Sequence, residues 1–172
     1  MIRIALLSDT HGYLDKRFIR HLEGSDEIWH AGDIGTLEVA DQLISIKPLR
    51  AVHGNVDGTP LRIQYPADLR FILEDVPVWI THIGGYPGHY ERKVNEILFK
   101  NPPNLFITGH SHILKVQFDK RFQLLHINPG AAGKYGLHTV QTLVKFTLGE
   151  GRIGDLEVVE LKKNKLFPDA IN

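Results

Sequence analysis

The fold is decided by residues 2–7, IRIALL, and by residues 8–12, SDTHG, which follow them directly. A short and nearly continuous apolar run is typical of a β-strand that is buried on both faces. The polar stretch ends this strand and places two side chains with metal-ligand chemistry, Asp9 and His11, just after it. The sequence therefore predicts a buried strand that presents functional groups at its carboxyl end.

The same pattern recurs twice in the first third of the chain. We predict a second strand over residues 27–31, which ends at Gly32-Asp33, and a third over residues 49–53, which ends at Gly54-Asn55. Between them, Thr36 is a candidate N-cap for a helix with an apolar stripe. Strands that alternate with helices favour a parallel sheet with helical crossovers.

The second half of the chain has a different pattern. Residues 69–73, 76–81 and 140–148 are predicted to be strands, the last with the strict alternation of a half-buried strand. A hairpin is predicted within residues 115–126, and a helix before Pro102-Pro103. Parallel elements followed by antiparallel ones predict an α/β fold in which two mixed sheets pack face to face with helices outside.

Composition restricts the class of protein. The 172 residues carry no formal net charge, 42% are hydrophobic and 23% are charged, which is typical of one globular domain over residues 1–172. The absence of a basic excess argues against dedicated nucleic-acid binding. The chain has no cysteine and no long apolar run, so we expect no disulfide, no thiolate metal site and no membrane span. We predict a cytoplasmic protein.

Five predicted strand ends carry seven side chains with metal-ligand chemistry: Asp9, His11, Asp33, Asn55, His82, His110 and His112. In extended backbone, residues i and i+2 point the same way, so Asp9 and His11 can face one metal. The same holds for His110 and His112. Each residue alone also fits a turn, a helix cap or a hydrogen-bonded histidine. Their occurrence together at strand ends, where α/β proteins bind ligands, indicates a site for two metal ions.

The order of these motifs resembles that of the calcineurin-like metallophosphoesterases. Their Asp-x-His, Gly-Asp, Gly-Asn-His, lone His and Gly-His-x-His are matched by Asp9-Thr10-His11, Gly32-Asp33, Gly54-Asn55, His82 and Gly109-His110-Ser111-His112. The resemblance covers residues 2–133. The small size and the stretch Asn128-Pro129-Gly130-Ala131 are most similar to the compact YfcE-like phosphodiesterase branch. The resemblance implies a four-layer α-β-β-α sandwich and a metal-dependent phosphodiesterase.

The resemblance also implies a role for each matched residue. One metal ion would be held by Asp9, His11, Asp33 and His112, and the other by Asp33, Asn55, His82 and His110, with Asp33 bridging. Asp33, Asn55 and His82 would be catalytic around a bridging hydroxide that attacks the phosphodiester. Candidates for contacts behind the ligands or with the substrate are Asp57, His89 and Asn128. Oxygen and imidazole ligands suit manganese, our first expectation, and also iron, cobalt, nickel or zinc.

One position departs from the family pattern, because Val56 stands where the family has the histidine of Gly-Asn-His. Valine cannot donate a proton, so we expect activated diesters to react faster than diesters with poor leaving groups. The departure leaves a second function open, a metal-binding interaction scaffold similar to the retromer subunit of this fold. A nuclease of the same superfamily is disfavoured by the neutral charge. The substrate, whose selection we assign to loops 59–66 and 84–90, and a homo-oligomer stay open.

Overall fold

The computed structural model describes residues 1–163, so residues 164–172 of the predicted domain lie outside the described part. The strands are β1 Ile2–Leu7, β2 Glu27–His30, β3 Leu49–Ala51, β4 Asp68–Leu73, β5 Val76–Thr81, β6 Gly85–Tyr86, β7 His89–Tyr90, β8 Leu105–Ile107, β9 Leu114–Asp119, β10 Leu124–Pro129, β11 Val140–Gly149 and β12 Arg152–Lys162. The helices are α1 Ile19–Glu23, which follows a 3-10 turn at Lys16–Phe18, α2 Leu37–Ile46, α3 Thr59–Gln64 and α4 Arg92–Lys100. Within residues 1–163, no helix has the length and apolar character needed to cross a membrane.

Two five-stranded mixed sheets form the framework. The first has the order β12-β11-β1-β2-β3, in which β1, β2 and β3 are parallel and the other neighbours are antiparallel. The second has the order β4-β5-β8-β10-β9, in which β5, β8 and β10 are parallel. Strands β6 and β7 form a separate two-stranded ribbon. The prediction of an α/β fold with two mixed sheets is confirmed.

Strand β1 shows how the layers stack. Its side chains alternate between two cores, because successive residues of a strand point to opposite faces of the sheet. Ile4 and Leu6 lie in the core between the two sheets, whereas Ala5 and Leu7 lie in the core that contains α1 and α2. A third core packs Leu98 of α4 against the outer face of the second sheet. The layers therefore follow the predicted order α-β-β-α.

One local expectation is corrected by the structure, and another is confirmed. Residues 59–64, expected to be part of a loop, form helix α3, which Pro60 favours because proline is well suited to a first helical turn. Thr36 is the N-cap residue of α2, as predicted, although its side chain makes no capping hydrogen bond. Asn128 and Pro129 are the last residues of β10, because they continue the antiparallel pairing with β9.

The segments that follow the parallel strands of both sheets meet in one region. The backbone N–H of Asp9, after β1, donates to the carbonyl of Gly32, after β2, at 3.0 Å. In the second sheet, the N–H of Gly109, after β8, donates to the carbonyl of His82, after β5, at 3.0 Å. The His82 ring then reaches the first sheet, where its Nδ1 lies 2.7 Å from the carbonyl oxygen of Ala31. The two sheets thus bring their functional loops together.

Candidate metal centre

The first group of ligand-type side chains follows β1 and β8. The Nε2 atoms of His11 and His112 are 3.1 Å apart, and Asp9 Oδ1 lies 3.8 Å from the first and 3.3 Å from the second. Asp9 Oδ1 is buried and has no hydrogen-bond partner among the described residues. Unprotonated imidazole nitrogens and carboxylate oxygens are all acceptors, so a cation between these three atoms would satisfy them together.

The second group follows β2, β3, β5 and β8. Nε2 of His82 lies 3.2 Å from Asp33 Oδ2 and 3.1 Å from Asn55 Oδ1. Nδ1 of His82 faces the Ala31 carbonyl, which can only accept a hydrogen bond, so Nδ1 carries a proton. In the neutral ring, Nε2 is then unprotonated, and its lone pair points toward the oxygens of Asp33 and Asn55. The His110 ring lies 5.3 Å from the His82 ring, and Asp33, His82 and His110 each offer a ligand atom within 4.8 Å of the others.

The two groups are neighbours, and each contains a buried carboxylate. Asp9 Oδ1 lies 3.9 Å from His82 Nε2, so it approaches histidines of both groups. Burial is the largest single effect on Asp33 and opposes its ionisation, but the hydrogen bond and charge of His82, with the Val56 N–H, together outweigh burial and hold the pKa of this carboxyl below its usual range. Burial also lowers the pKa of His82, but the Asp33 and Asp9 carboxylates outweigh it and raise the pKa. A proton between His82 and Asp33 therefore competes with a metal ion for the same place.

Five of the seven candidate ligands have a left-handed backbone, with φ between 47° and 67°: Asp9, His11, Asp33, His110 and His112. The expectation that Asp9 converges with His11, and His110 with His112, along extended backbone is therefore wrong. The side chains converge because the loop turns at each of these residues. This conformation costs a non-glycine residue about 1 kcal/mol or more, and such strain is concentrated at functional sites.

Two glycines of the motifs are required by close packing around the ligands. A Cβ atom at Gly54 would collide with the Asp33 carboxylate. A Cβ atom at Gly109 would collide with the Ser8 side chain and lie 2.8 Å from the Ala31 carbonyl oxygen. These contacts explain why glycine precedes Asn55 and His110, since only glycine lets the backbone approach this closely.

Asp57 holds two of the ligand-bearing loops together. Its buried carboxylate accepts hydrogen bonds from the backbone N–H groups of Gly54 at 2.7 Å, Gly35 at 2.7 Å and Ile34 at 3.2 Å. The loop after β2 and the loop after β3 are thereby fixed to one another. Asp57, predicted to stand behind the ligands or to contact the substrate, connects the loops that carry Asp33 and Asn55.

The other two secondary candidates lie on the side of His110. Asn128 is buried, and its Nδ2 donates to the Gly109 carbonyl at 2.7 Å and to Ser111 Oγ at 3.1 Å, which fixes the loop that carries His110. His89 is exposed on the β6–β7 ribbon. It lines a cleft of about 300 Å³ that also borders His110 and Asn128. The geometry gives Asn128 a positioning role and leaves His89 available to a bound substrate.

The comparisons with known proteins can be set against this geometry. The model of the calcineurin-like phosphoesterase superfamily domain matches residues 2–151. The chain belongs to the calcineurin-like phosphoesterase superfamily. A probable metallophosphoesterase of Mycoplasma pneumoniae is 30% identical over 163 residues, which are 91% of this chain and 96% of that protein. Membership confirms the predicted family and, with it, the class of metal-binding hydrolases that act on phosphoester bonds.

Solved structures show the same calcineurin-like fold. Zinc-complexed Vps29 from Entamoeba histolytica has a TM-score of 0.72 and 15% identity, and the match covers 95% of this chain and 100% of Vps29. An archaeal phosphodiesterase has a TM-score of 0.69 and 22% identity over 93% of this chain and 100% of its own. Because both identities are low, these similarities concern the fold.

Sequence reasoning missed Arg62, which contacts the loop that carries Asn55. Its guanidinium donates to three backbone carbonyls, those of Asp57 at 2.6 Å, Asn55 at 2.9 Å and Gly54 at 3.2 Å. These contacts fix the loop that carries Asn55, in addition to the hydrogen bond that the Asp57 carboxylate accepts from Gly54. Arg62 lies on helix α3, which was expected to be a loop, and Pro60 was the signal that could have revealed it.

Two more histidines are buried behind the phosphoesterase site. His30 Nε2 lies 2.9 Å from Thr10 Oγ1, and His126 Nε2 lies 3.0 Å from Thr108 Oγ1. Burial lowers the pKa of each ring to about 4. Both rings are therefore neutral at physiological pH and act as hydrogen-bonded packing groups between the ligand-bearing loops.

These two histidines predict a loss of stability in acid. Their pKa is about 4 in the folded chain and about 6.5 in the unfolded chain, so the unfolded chain binds more protons between these values. Their stabilising effect is complete above about pH 6.5 and is lost as the pH falls toward 4. Urea unfolding should show a decrease of roughly 2–3 kcal/mol per histidine between pH 7 and pH 4. A His30→Gln/His126→Gln variant with an unchanged pH dependence would contradict this account.

Proposed function

We propose that the protein is a phosphodiesterase that uses two divalent metal ions. The observation that carries this proposal is the convergence of acceptor atoms in two adjacent groups, with the buried Asp9 Oδ1 lacking any partner in residues 1–163. A packing role does not explain this arrangement, because a buried unpaired carboxylate oxygen is costly without a cation. The family membership reported above supports the same reading.

Each ion would have its own set of ligands in this chain. One set comprises Asp9, His11, Asp33 and His112, and the other comprises Asp33, Asn55, His82 and His110. The proposed bridging role of Asp33 is supported by its 3.2 Å approach to His82 and by its burial. When bound, the two ions would provide a bridging hydroxide nucleophile at neutral pH and neutralise charge during an in-line displacement. Oxygen and imidazole ligands make manganese our first expectation.

The choice of a diester rests on charge and on Val56. Two buried carboxylates, Asp9 and Asp33, offset much of the charge of two divalent ions, so the site keeps a small positive charge that suits a monoanionic diester. The Val56 N–H donates to Asp33 Oδ1 at 3.0 Å, whereas its side chain is 58% exposed and offers no proton. The leaving group must then depart without a histidine at this position, which favours activated diesters.

The test compares two substrates with and without metal. The protein is stripped of metal, reloaded with Mn²⁺ and assayed with bis(p-nitrophenyl) phosphate and with p-nitrophenyl phosphate. We expect turnover only with metal and faster hydrolysis of the diester. Faster hydrolysis of the monoester would contradict the diester assignment, and no turnover by metal-loaded protein would contradict the enzymatic function.

The second candidate is a metal-binding interaction scaffold. Its support is the absence of a proton donor at Val56 and the similarity of fold to zinc-complexed Vps29. Against it stands the full set of ligand-type side chains in this chain, which a scaffold does not require. The absence of turnover in the assay above, together with intact metal binding, would favour this second function.

Restoring a histidine at position 56 should improve the reaction of poor leaving groups. The side chain of Val56 is exposed beside Asn55, so Val56→His can place an imidazole at the edge of the site without displacing a core residue. General acid catalysis is worth roughly 10²–10⁴ when well positioned, and we expect at least about a tenfold rise in kcat for a methyl phosphodiester. Hydrolysis of p-nitrophenyl diesters should change little, because p-nitrophenolate leaves without a proton. Val56→Leu is the control, and an equal rise in that variant would exclude proton donation.

A further inference from the structure

Two clefts are relevant to substrate binding: one is lined by the candidate ligand His110, and the other is formed by segments that follow or contact residues of the first group of ligands. The cleft of about 300 Å³ beside His110 has apolar and aromatic walls that include Ile83, Tyr86 and Ile113. Its Lys115, whose Nζ lies 4.1 Å from the centre of the Tyr86 ring, is accompanied by Glu91. The charges on this side therefore balance, and the walls suit an uncharged group.

The second cleft has a volume of about 400 Å³, and no candidate ligand lines it. It is lined by Tyr13, Lys134, Tyr135 and Lys163, together with the Asp15–Arg17 pair. Tyr13 is two residues beyond His11. Lys134 follows Gly133, whose backbone N–H donates to the carbonyl of Asp9 at 3.1 Å.

The loop formed by residues 133–136 also contacts a candidate metal-ligating residue at its other end. A Cβ atom at Gly136 would lie 2.6 Å from Nδ1 of His112, so this glycine packs directly against the ring. In the sequence, Lys134 and Tyr135 therefore lie between Gly133, which is hydrogen-bonded to Asp9, and Gly136, which packs on His112. This loop therefore connects the second cleft to two residues of the first group of ligands.

Among the described residues, the second cleft carries positive charge on Lys134 and Lys163 beside the ion pair of Arg17 with Asp15. Arg17 is paired with Asp15 through two side-chain hydrogen bonds, of 3.0 and 2.7 Å. Lys134 lies over two rings, with Nζ 4.6 Å from the centre of Tyr13 and 5.2 Å from that of Tyr135. Lys163 Nζ donates to the Gly136 carbonyl at 3.0 Å. Within residues 1–163, neither lysine forms an ion pair with a carboxylate.

We propose that the second cleft binds a further phosphate group carried by one arm of the diester. Lys134 and Lys163 provide the positive charge for it, and Tyr135, which is 56% exposed, provides a face for a planar ring on the same arm. The cleft beside His110, in which Lys115 is offset by Glu91, receives the other arm of the diester, which is uncharged. This inference rests on the proposed function. It identifies the substrate class as phosphodiesters in which one arm is a nucleoside that carries a further phosphate.

A matched pair of substrates tests this inference. Thymidine 5′-(p-nitrophenyl phosphate) and the same compound with a 3′-phosphate differ only in the distal phosphate. We expect the distal phosphate to lower KM about tenfold with little change in kcat, because it gains contacts that the reacting group does not make. The preference should decrease as the ionic strength rises.

Substitutions of the two lysines test whether the KM preference for the distal phosphate arises in the second cleft. Lys134→Gln should abolish the KM preference and Lys163→Gln should reduce it, whereas the exposed Lys93→Gln on α4 should retain it. Equal KM values for the two substrates in the unmodified protein would overturn the inference, and so would a preference that survives Lys134→Gln.

A binding measurement keeps the inference separate from the enzymatic proposal. If neither ester is hydrolysed, the proposed function fails, and calorimetry with thymidine 3′,5′-bisphosphate and thymidine 5′-monophosphate on metal-loaded protein tests the cleft alone. Binding of the bisphosphate that is about tenfold tighter and is lost in Lys134→Gln would support the inference. Equal binding of the two nucleotides would overturn it.

Discussion

Asp33→Asn is expected to lower kcat for bis(p-nitrophenyl) phosphate by more than about 100-fold. This decrease is larger than the roughly 10–100-fold loss of activity that follows when a residue hydrogen-bonded to a metal ligand is removed. Asp33 is buried, contacts His82 at 3.2 Å and is the proposed bridge between the two ions. Asparagine preserves its volume but removes the negative charge that would hold both ions. The measurement is a steady-state assay in saturating Mn²⁺, with the metal content determined on the same sample.

The control for this variant is Asp41→Asn, which changes an exposed aspartate on helix α2. It should leave kcat and metal content unchanged. Activity of Asp33→Asn within a few fold of the unmodified protein would contradict the proposed role of Asp33, and with it the shared-carboxylate arrangement.

Asp57→Ala should combine a large loss of stability with a loss of activity. The substitution leaves three backbone N–H groups, those of Ile34, Gly35 and Gly54, without their carboxylate partner. Each unsatisfied buried donor costs about 1–3 kcal/mol, and some regain partners through relaxation, so we expect the free energy of unfolding to fall by about 3 kcal/mol. Urea unfolding of Asp57→Ala and of the unmodified protein at pH 7 measures this change in the free energy of unfolding.

Activity reports the positioning role of Asp57 separately from stability. Below the unfolding transition, kcat of Asp57→Ala should be lower by about 10–100-fold, because the loops that carry Asp33 and Asn55 lose their connection. Asp68→Ala, at an exposed position, is the control for both measurements. A stability change below about 0.5 kcal/mol, the range of ordinary surface substitutions, would show that Asp57 does not hold the loops.

The sequence predicts the framework well because its strands have strong local signals. The run at residues 2–7 is strand β1, and the strand ends that carry Asp9, Asp33 and His82 meet at one site as expected. These predictions succeed because periodicity and topology depend on side-chain polarity, which the sequence displays directly.

The geometry of the ligand loops could not be predicted in the same way. The left-handed conformation of Asp9 and His11 accompanies hydrogen bonds from their N–H groups to the carbonyls of Gly32 and Asp33, which come from another strand end. The same holds for the second cleft, where Tyr13 and Lys134 meet although they are distant in sequence. Such features depend on tertiary contacts, whereas local sequence preferences favour extended or helical backbone.

The number of manganese ions bound per chain tests the central claim most directly. Calorimetric titration of Mn²⁺ into metal-free protein at pH 7.5 should show two ions bound per chain, and Asp33→Asn should weaken the binding of both. Binding of a single ion, or of two ions with unchanged affinity in Asp33→Asn, would contradict a two-metal centre that shares Asp33.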